Sequence, residues 1–303
     1  MKNKKPNFFI VGAPKCGTTA LASYLNEHSK IFVSNPKEPH YFATDFPRYR
    51  LYDSLKQYLD ISNDAKSENV AIGEASVFYM YSKEAIKKIY EFDSNANIIV
   101  MIRNPIEMVY SFHSQLFYTA DEDVEDFSEA WKLEEKRRNN INIPKQCREP
   151  KLLYYSEIAK YSEQLDNIYT YFPKSQVKTI LFDDFKKDVL GVYKEVLLFL
   201  NIEYDDKVKF DKVNENKKIK SKRLNQLTAQ PPKIVGTLVR AIKNTFGIEK
   251  FGVIDSIRKK NTLIKKREEL SQELKETIYN NYKDDIHKLS LLLNRDLSFW
   301  KNK

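Results

Sequence analysis

A glycine-containing segment near the N-terminus has the residue types of a phosphate-binding loop: Gly12-Ala13-Pro14-Lys15-Cys16-Gly17-Thr18-Thr19. An apolar run precedes it and a helical pattern follows, so backbone N–H groups at the start of a helix are expected to face an anion. Thr18 stands where a nucleoside-triphosphate loop has its lysine, and Lys15 lies three residues earlier. We therefore predict that the N–H groups of residues 16–19 bind a phosphate of a donor other than ATP.

Side chains of this loop extend the predicted anion site. Gly17 lets the backbone approach a phosphate closely, because it has no Cβ. Thr18 and Thr19 supply hydroxyl donors, and Thr18 is also a candidate helix cap. Lys15 is placed to reach over the loop to the bond that breaks, and Cys16 contributes its backbone N–H.

A second candidate anion site follows an apolar run in the middle of the chain. Arg103 comes directly after that run, where ligands of open α/β sheets bind. Asn104 and Pro105 have the residue types of a helix N-cap and a first helical position, and Glu107 completes a capping box. Ser111 lies two turns into that helix. An arginine fork and a serine hydroxyl suit a second phosphate, so we expect a ligand with two separated phosphates.

A metal ion is not expected at these sites. Phosphoryl transfer from ATP normally uses a metal held by an acidic residue after a strand, and Asp183-Asp184 is the one candidate pair in the sequence. A sulfuryl group carries less negative charge than a γ-phosphoryl group, so a lysine and backbone amides can stabilise it without a metal.

Apolar runs alternate with helical patterns along the chain, which predicts an α/β fold with a parallel sheet covered on both faces. The strand candidates are residues 8–11, 31–33, 69–72, 98–102 and 177–182, and the helix candidates are residues 19–27, 82–90, 105–119, 161–171 and 188–200. From residue 270 to residue 293, apolar residues recur every three or four positions, which predicts a long amphipathic C-terminal helix. Leu297 to Trp300 is expected to dock as an apolar anchor.

Composition narrows the class of protein. The 303 residues include 51 Lys and Arg against 42 Asp and Glu, a net charge of +9 that suits an anionic ligand. The basic stretch of residues 214–223 lacks interleaved aromatic residues, so no nucleic-acid partner is expected. Two cysteines give neither a disulfide framework nor metal-ligand spacing. Without a signal peptide or a transmembrane run, we expect a cytoplasmic protein. The acidic residues 121–129 are interpreted as a solvated loop.

Together, these motifs resemble the sulfotransferases that use 3′-phosphoadenosine 5′-phosphosulfate (PAPS). The Lys15–Thr19 loop resembles their 5′-phosphosulfate loop, and Arg103 with Ser111 resembles their 3′-phosphate site. Residues 36–42, PKEPHYF, and the RDLSFW ending resemble the heparan-sulfate-type and bacterial branch. The resemblance implies a P-loop-type three-layer fold with about five parallel strands. It also implies a single domain over residues 1–303, in which residues 211–266 cover the donor or acceptor and residues 267–303 form the C-terminal helix and anchor.

The resemblance also implies site roles. Glu38 matches the general base of the heparan-sulfate-type branch, and Lys15 would stabilise the departing phosphate. His40 would orient the acceptor, support Glu38 or replace it. Glu74 and Ser76 are candidates to face the acceptor, although several relatives have a lysine where this chain has Ala75.

Other positions depart from the family pattern as well. Met108 replaces a common arginine on the flank of the helix after Arg103, where little effect on donor binding is expected. Lys220-Ser221 replaces a common Arg-Ser, and Lys220, Lys222 and Arg223 are the candidates to contact the donor.

Two other classes of function stay open from the sequence. One is a P-loop kinase-like phosphotransferase that uses ATP, and the other is a non-catalytic anion-binding module. For the sulfotransferase, the expected acceptor is a hydroxyl-bearing small molecule or carbohydrate. The sequence leaves the acceptor's identity and the oligomeric state undetermined.

Overall fold

Five parallel strands form the central sheet of the computed structural model, which describes residues 4–206, 208–210, 217–219, 221, 224–225, 228, 260–264 and 267–302. The strands are β1 (Phe8–Gly12), β2 (Ile31–Val33), β3 (Ala71–Ala75), β4 (Asn97–Ile102) and β5 (Val177–Leu181). Their order is β2-β3-β1-β4-β5, and every neighbouring pair is parallel. The predicted α/β fold with about five parallel strands is confirmed.

The chain reverses its direction of strand addition at β1. It moves from β1 out to β2, returns to β3 beside β1, and then crosses to β4 on the other side. Open α/β sheets bind ligands outside the carboxyl ends of the strands at such a switch point. The predicted phosphate loop follows β1, and Arg103 follows β4, so the topology places both predicted anion sites at this edge.

The apolar runs form the core because parallel strands are buried on both faces. Phe8 to Val11 of β1 and Ile98 to Ile102 of β4 have no exposed surface. Strand β3 extends three residues beyond the predicted 69–72 and ends at Ala75. Gly73 of β3 lies against the Phe8 ring, and a Cβ there would come within 2.1 Å of that ring. Close packing between β1 and β3 therefore requires glycine at this position.

The described helices include all five that were predicted before residue 270, each with bounds within three residues of the predicted ones. Those before the C-terminal helix are α1 (Thr18–Asn26), α2 (Leu55–Leu59), α3 (Ala85–Phe92), α4 (Pro105–Thr119), α5 (Phe127–Lys132), α6 (Glu134–Arg138), α7 (Tyr155–Ile158), α8 (Tyr161–Tyr171), α9 (Phe182–Lys187) and α10 (Val189–Phe199). Helices α2, α5, α6, α7 and α9 were not predicted, and at α9 the sequence showed only an acidic pair after a strand. Among the described residues, no helix combines the length and apolarity needed to span a bilayer.

The C-terminal helix α11 (Gln272–Leu292) confirms the predicted long amphipathic helix. Ile278, Tyr282 and Leu289 on its apolar face have no exposed surface. Beyond it, Leu297 and Trp300 are fully buried, whereas Phe299 is 36% exposed. The predicted apolar anchor is therefore formed by two of its residues.

The described residues fall into two compact units. The first consists of Met1–Met108, Ser156–Asn214 and Glu276–Lys303 and contains the five-stranded sheet. The second consists of Val109–Tyr155 and Glu215–Lys275 and contains an antiparallel pair, β6 (Lys217–Ile219) with β7 (Thr262–Ile264). The description of residues 1–303 as a single domain stays a prediction.

The acidic stretch 121–129 is not a solvated loop, so that interpretation is wrong for its first residues. Asp121 and Glu122 are 1% and 2% exposed. The two terminal guanidinium nitrogens of Arg137 each donate to Glu122 at 2.7 Å, and the Tyr155 hydroxyl donates to it at 2.8 Å. Arg148 pairs with Asp121 in the same way. Charged groups are buried only when paired, and here arginines later in the chain supply the partners.

Candidate active site

The predicted phosphate loop connects β1 to α1. Gly17, the residue before the helix, has a φ of 89°, which glycine adopts without a Cβ penalty. A Cβ at Gly17 would lie 3.0 Å from the Phe182 ring, so packing favours glycine as well. Helix α1 begins at Thr18, which places its unpaired N–H groups at the loop. Gly17 holds the cap position, so the prediction that Thr18 caps the helix is wrong.

Cys16 belongs to the loop through its backbone and not through a reactive thiol. Its side chain is fully buried, and Sγ donates to the Pro14 carbonyl oxygen at 3.3 Å. Burial raises the pKa of the Cys16 thiol to about 12, against the lowering effects of Arg103 and Tyr161. A thiol that stays protonated at neutral pH is a poor nucleophile. The backbone N–H is therefore the group that Cys16 offers to a ligand.

Three predicted site residues have an unusual backbone conformation. Lys15, Glu38 and His40 have φ angles of 61°, 62° and 48°. Residues other than glycine rarely adopt positive φ, and each costs on the order of 1 kcal/mol. Such residues cluster at ligand-binding and catalytic sites, where the surrounding structure holds them in place. The loop after β1 and the loop after β2 thus share a property typical of functional sites.

Arg103 lies against the phosphate loop at the end of β4. One guanidinium nitrogen donates to the Lys15 carbonyl oxygen at 3.3 Å, and another donates to Glu107 at 2.6 Å. The guanidinium also lies 4.7 Å from the centre of the Phe182 ring. The structure therefore joins Arg103 to the loop that carries Lys15. Glu107 pairs with Arg103 instead of reaching back to the helix cap, which corrects the capping-box prediction.

Asn104 caps helix α4 as predicted and also fixes the C-terminal segment. Its Oδ1 accepts the Ile106 N–H at 2.9 Å, and its Nδ2 donates to the Trp300 carbonyl oxygen at 2.8 Å. The indole N–H of Trp300 donates to Asp183 at 2.9 Å, and Arg295 pairs with Asp184. Asp183 and Asp184, the candidate metal ligands, thus bind Trp300 and Arg295 of the C-terminal segment.

The contacts predicted between the donor and Ser111, Lys220 and Lys222 stay predictions. Ser111 is buried on α4, two turns after Arg103 in sequence, but it belongs to the second compact unit whereas Arg103 belongs to the first. Its role in a 3′-phosphate site stays a prediction. Lys220, Lys222 and Arg223 lie outside the described residues. Their neighbour Ser221 is described, and its N–H donates to Asn261 Oδ1 at 2.9 Å.

Glu38 is held in place by the end of β3. Its backbone N–H donates to the Ala75 carbonyl oxygen at 3.0 Å, and the His40 N–H donates to the Ser76 hydroxyl oxygen at 2.9 Å. Two hydrogen bonds therefore fix the loop after β2 on Ala75 and on Ser76, of which Ser76 was predicted to face the acceptor. The Glu38 side chain keeps 38% of its surface exposed.

Two basic side chains flank the Glu38 carboxylate. The Lys37 ammonium donates to Glu38 Oε1 at 3.2 Å, and His40 Nε2 lies 3.7 Å from Oε2, beyond hydrogen-bond distance. Burial raises the pKa of Glu38, but His40 and Lys37 lower it more, and together they hold the pKa at about 2. Glu38 is therefore ionised at neutral pH and able to accept a proton. Its basicity is weak for as long as both partners stay in place.

His40 is buried behind Glu38. It is 2% exposed and stacks on the Phe78 ring, with ring centres 4.8 Å apart and an angle of 18° between the planes. Neither ring nitrogen has a hydrogen-bond partner among the described residues. An imidazole packed in this way is better placed to orient Glu38 than to meet an acceptor directly.

Glu74 has a different environment although it was predicted to share the acceptor site. It is the fourth residue of β3 and has no exposed surface. The hydroxyls of Tyr58 and Tyr79 donate to its Oε2 at 3.2 Å and 2.7 Å. Burial raises the pKa of Glu74 to about 7, against the lowering effect of these and other hydrogen bonds. Glu74 and Ser76 thus support the Glu38 loop, and their contact with an acceptor stays a prediction.

Sequence reasoning missed Lys37 as a site residue. Its ammonium donates to the Thr19 hydroxyl oxygen at 2.7 Å in addition to Glu38. Thr19 lies in the first turn of α1, so Lys37 joins the phosphate loop to the predicted base. The available signal was the lysine directly before Glu38, which the sequence alone allowed to be an ordinary loop ion pair.

Comparison with known proteins identifies the family to which this chain belongs. The family model for the sulfotransferase domain matches residues 5–288. Because that match covers most of the chain, the chain belongs to the sulfotransferase domain family.

Individual relatives are more distant. Human carbohydrate sulfotransferase 15 is 27% identical over 246 residues, which cover 65% of this chain and 44% of that protein. The membrane-associated sulfotransferase kil1 of Dictyostelium discoideum is 24% identical over 318 residues, covering 78% of this chain and 66% of the relative. The chain thus spans less than half the length of carbohydrate sulfotransferase 15.

A solved structure supports the fold. The sulfotransferase from Alicyclobacillus acidocaldarius superposes with a TM-score of 0.73 and 24% sequence identity, covering 98% of this chain and 99% of that chain. At this level of identity the likeness shows the fold, a parallel sheet flanked by helices, and leaves the site to be argued from this chain's own residues.

Proposed function

We propose that the protein transfers a sulfuryl group from PAPS to an acceptor hydroxyl, with Glu38 as the general base. The observation that carries this proposal is the hydrogen bond from Arg103 to the Lys15 carbonyl oxygen, at 3.3 Å. It joins a cation suited to one phosphate to a loop suited to another. A donor with two separated phosphates fits this arrangement. ATP carries its phosphates in one linear chain and has no separate phosphate to pair with Arg103.

This chain supplies a base for the acceptor's proton and cationic groups for the departing phosphate. The acceptor oxygen attacks sulfur, its O–H proton passes to Glu38, and the new oxygen–sulfur bond forms. The bond between sulfur and the 5′-phosphate oxygen breaks, and the products are a sulfate ester and adenosine 3′,5′-bisphosphate (PAP). Negative charge develops on the departing phosphate, where Lys15 and the N–H groups at the start of α1 stabilise it.

Glu38 is preferred to His40 as the base on grounds of access. The Glu38 carboxylate is 38% exposed, whereas the His40 side chain is 2% exposed and stacked on Phe78. A base must come within hydrogen-bond reach of the proton that it takes. We therefore assign proton transfer to Glu38, and to His40 the holding of its carboxylate.

A carbohydrate is the proposed class of acceptor. The support is the name of one relative, carbohydrate sulfotransferase 15, at 27% identity.

Thermal unfolding with two nucleotides tests the choice of donor. We expect PAP to raise the unfolding temperature, since a ligand at about 100 times its Kd stabilises the folded state by about 2.7 kcal/mol. MgATP at the same concentration should have a much smaller effect. Stabilisation by MgATP and none by PAP would contradict the proposal and favour a phosphotransferase. Stabilisation by PAP without PAP formation from PAPS, over a panel of sugar and phenol acceptors, would favour a binding module.

A further inference from the structure

Lys37 lies between the two parts of the proposed active site. Its Nζ donates to Thr19 Oγ1 at 2.7 Å and to Glu38 Oε1 at 3.2 Å. Thr19 belongs to the helix start that faces the proposed donor, and Glu38 is the proposed base. The Lys37 side chain is 25% exposed, so a ligand at the loop can reach its ammonium group.

An anion bound at the start of α1 would compete with the present partners of Lys37 for its ammonium group. A lysine ammonium has three N–H donors and no acceptor, and Thr19 offers it only a neutral hydroxyl. The oxygens of a phosphosulfate carry negative charge and would sit at the helix start beside Thr19. They compete with the Glu38 carboxylate for the same ammonium, and flexible lysine stems move readily between neighbouring partners.

We propose that Lys37 changes partner when the sulfuryl donor binds, leaving Glu38 and pairing with the donor's phosphosulfate oxygens. This inference rests on the proposed function of the site. In the free protein, Lys37 holds the carboxylate ionised and in position. In the donor complex, the same ammonium stabilises the group that departs, and Glu38 is released to take the acceptor's proton. Donor binding thereby prepares the base.

The charges around Glu38 determine the direction of the effect. Lys37 and His40 lower the pKa of Glu38, and the buried Glu74 carboxyl lies close enough for Glu38 to raise the pKa of Glu74. When Lys37 moves to the donor, one of the two lowering groups is lost while His40 stays. The pKa of Glu38 therefore rises, and the carboxylate becomes a stronger base.

Calorimetric titration with PAPS at about pH 5, in two buffers of different ionisation enthalpy, measures both Kd and the protons taken up on binding. We expect the wild-type protein to take up more protons than Glu38→Gln, because the variant lacks the carboxylate whose pKa rises when the donor binds. In Lys37→Met, proton uptake should fall toward the Glu38→Gln value, and PAPS affinity should fall roughly tenfold.

Two variants serve as controls. Lys37→Arg keeps the positive charge and should restore most of the affinity. Lys178 of β5 has a similar exposure, 28%, and pairs with Glu195 of α10 at 2.7 Å. The Lys178→Met variant should behave like the wild-type protein. Wild-type proton uptake and affinity in Lys37→Met would overturn the inference alone. Failure of the wild-type protein to bind both PAPS and PAP would overturn the proposed function and the inference with it.

Discussion

The loop after β2 and the end of β3 each carry a glutamate, and the two carboxylates have opposite environments. Glu38 is 38% exposed between Lys37 and His40, which hold its pKa at about 2. Glu74 has no exposed surface, and burial raises its pKa to about 7. The loops are hydrogen-bonded to each other, so this contrast arises within one small region.

This contrast separates two roles that the residue type alone does not. A general base must be accessible to the acceptor and ionised before it takes a proton, and Glu38 meets both conditions. Glu74 lies beneath the loop and close to its protonation midpoint at neutral pH, where its hydrogen bonds with Tyr58 and Tyr79 hold the end of β3. Pairs of carboxyl groups whose environments push their pKa values apart commonly divide their roles in this way.

The largest expected effect is on turnover. Glu38→Gln keeps the shape of the side chain but cannot accept the acceptor's proton, so we expect sulfuryl transfer to slow by roughly 10²–10⁴-fold. PAP affinity should stay close to that of the wild-type protein. Glu74→Gln is the matched substitution, and its turnover should stay within a few-fold of wild type. Equal losses in both variants would remove the distinction between the two carboxylates.

A smaller effect concerns the pH dependence of stability. The folded pKa of Glu74, about 7, lies above its ordinary value of 4.5, so the folded protein holds the extra proton between these pH values. Stability from this group is lost as the pH rises through that interval, by up to about 3 kcal/mol. We therefore expect the unfolding free energy of Glu74→Gln, measured with urea, to rise relative to that of the wild-type protein between about pH 4.5 and about pH 8. A difference that does not change with pH would contradict the assignment.

The smallest effect belongs to Glu38 and has the opposite sign. Its pKa is lowered, so its stabilising contribution is present above about pH 4.5 and is lost as the pH falls toward about 2. Because the side chain is 38% exposed, solvent screens the interaction and we expect only a few tenths of a kcal/mol. The difference in unfolding free energy between Glu38→Gln and the wild-type protein, measured with urea, should therefore shrink as the pH falls toward about 2. Divergence at acid pH would mean that Glu38 is not the paired group.

The sequence predicted the features that depend on neighbouring residues. The glycine loop, the buried strands and the Asn104 cap are local patterns, and the structure contains each of them. The position of Gly17 before α1 follows from the same local chemistry, although the cap itself was assigned one residue too late.

Contacts between distant segments were not predictable in this way. The burial of Glu74 involves Tyr58 and Tyr79, whose hydroxyls reach its carboxylate from other segments. The burial of Glu122 requires Arg137, fifteen residues later, and the contact of Lys37 with Thr19 joins two loops. A single sequence shows that such charges exist but not which partner each will meet.

Chemical rescue tests the central assignment most directly. Glu38→Ala lacks a carboxylate and leaves space beside Lys37 and His40, so added formate should raise its rate of PAP formation from PAPS and acceptor in proportion to formate concentration. Formate should leave the wild-type rate unchanged. Turnover of Glu38→Ala close to that of the wild-type protein without formate would contradict Glu38 as the group that takes the acceptor's proton.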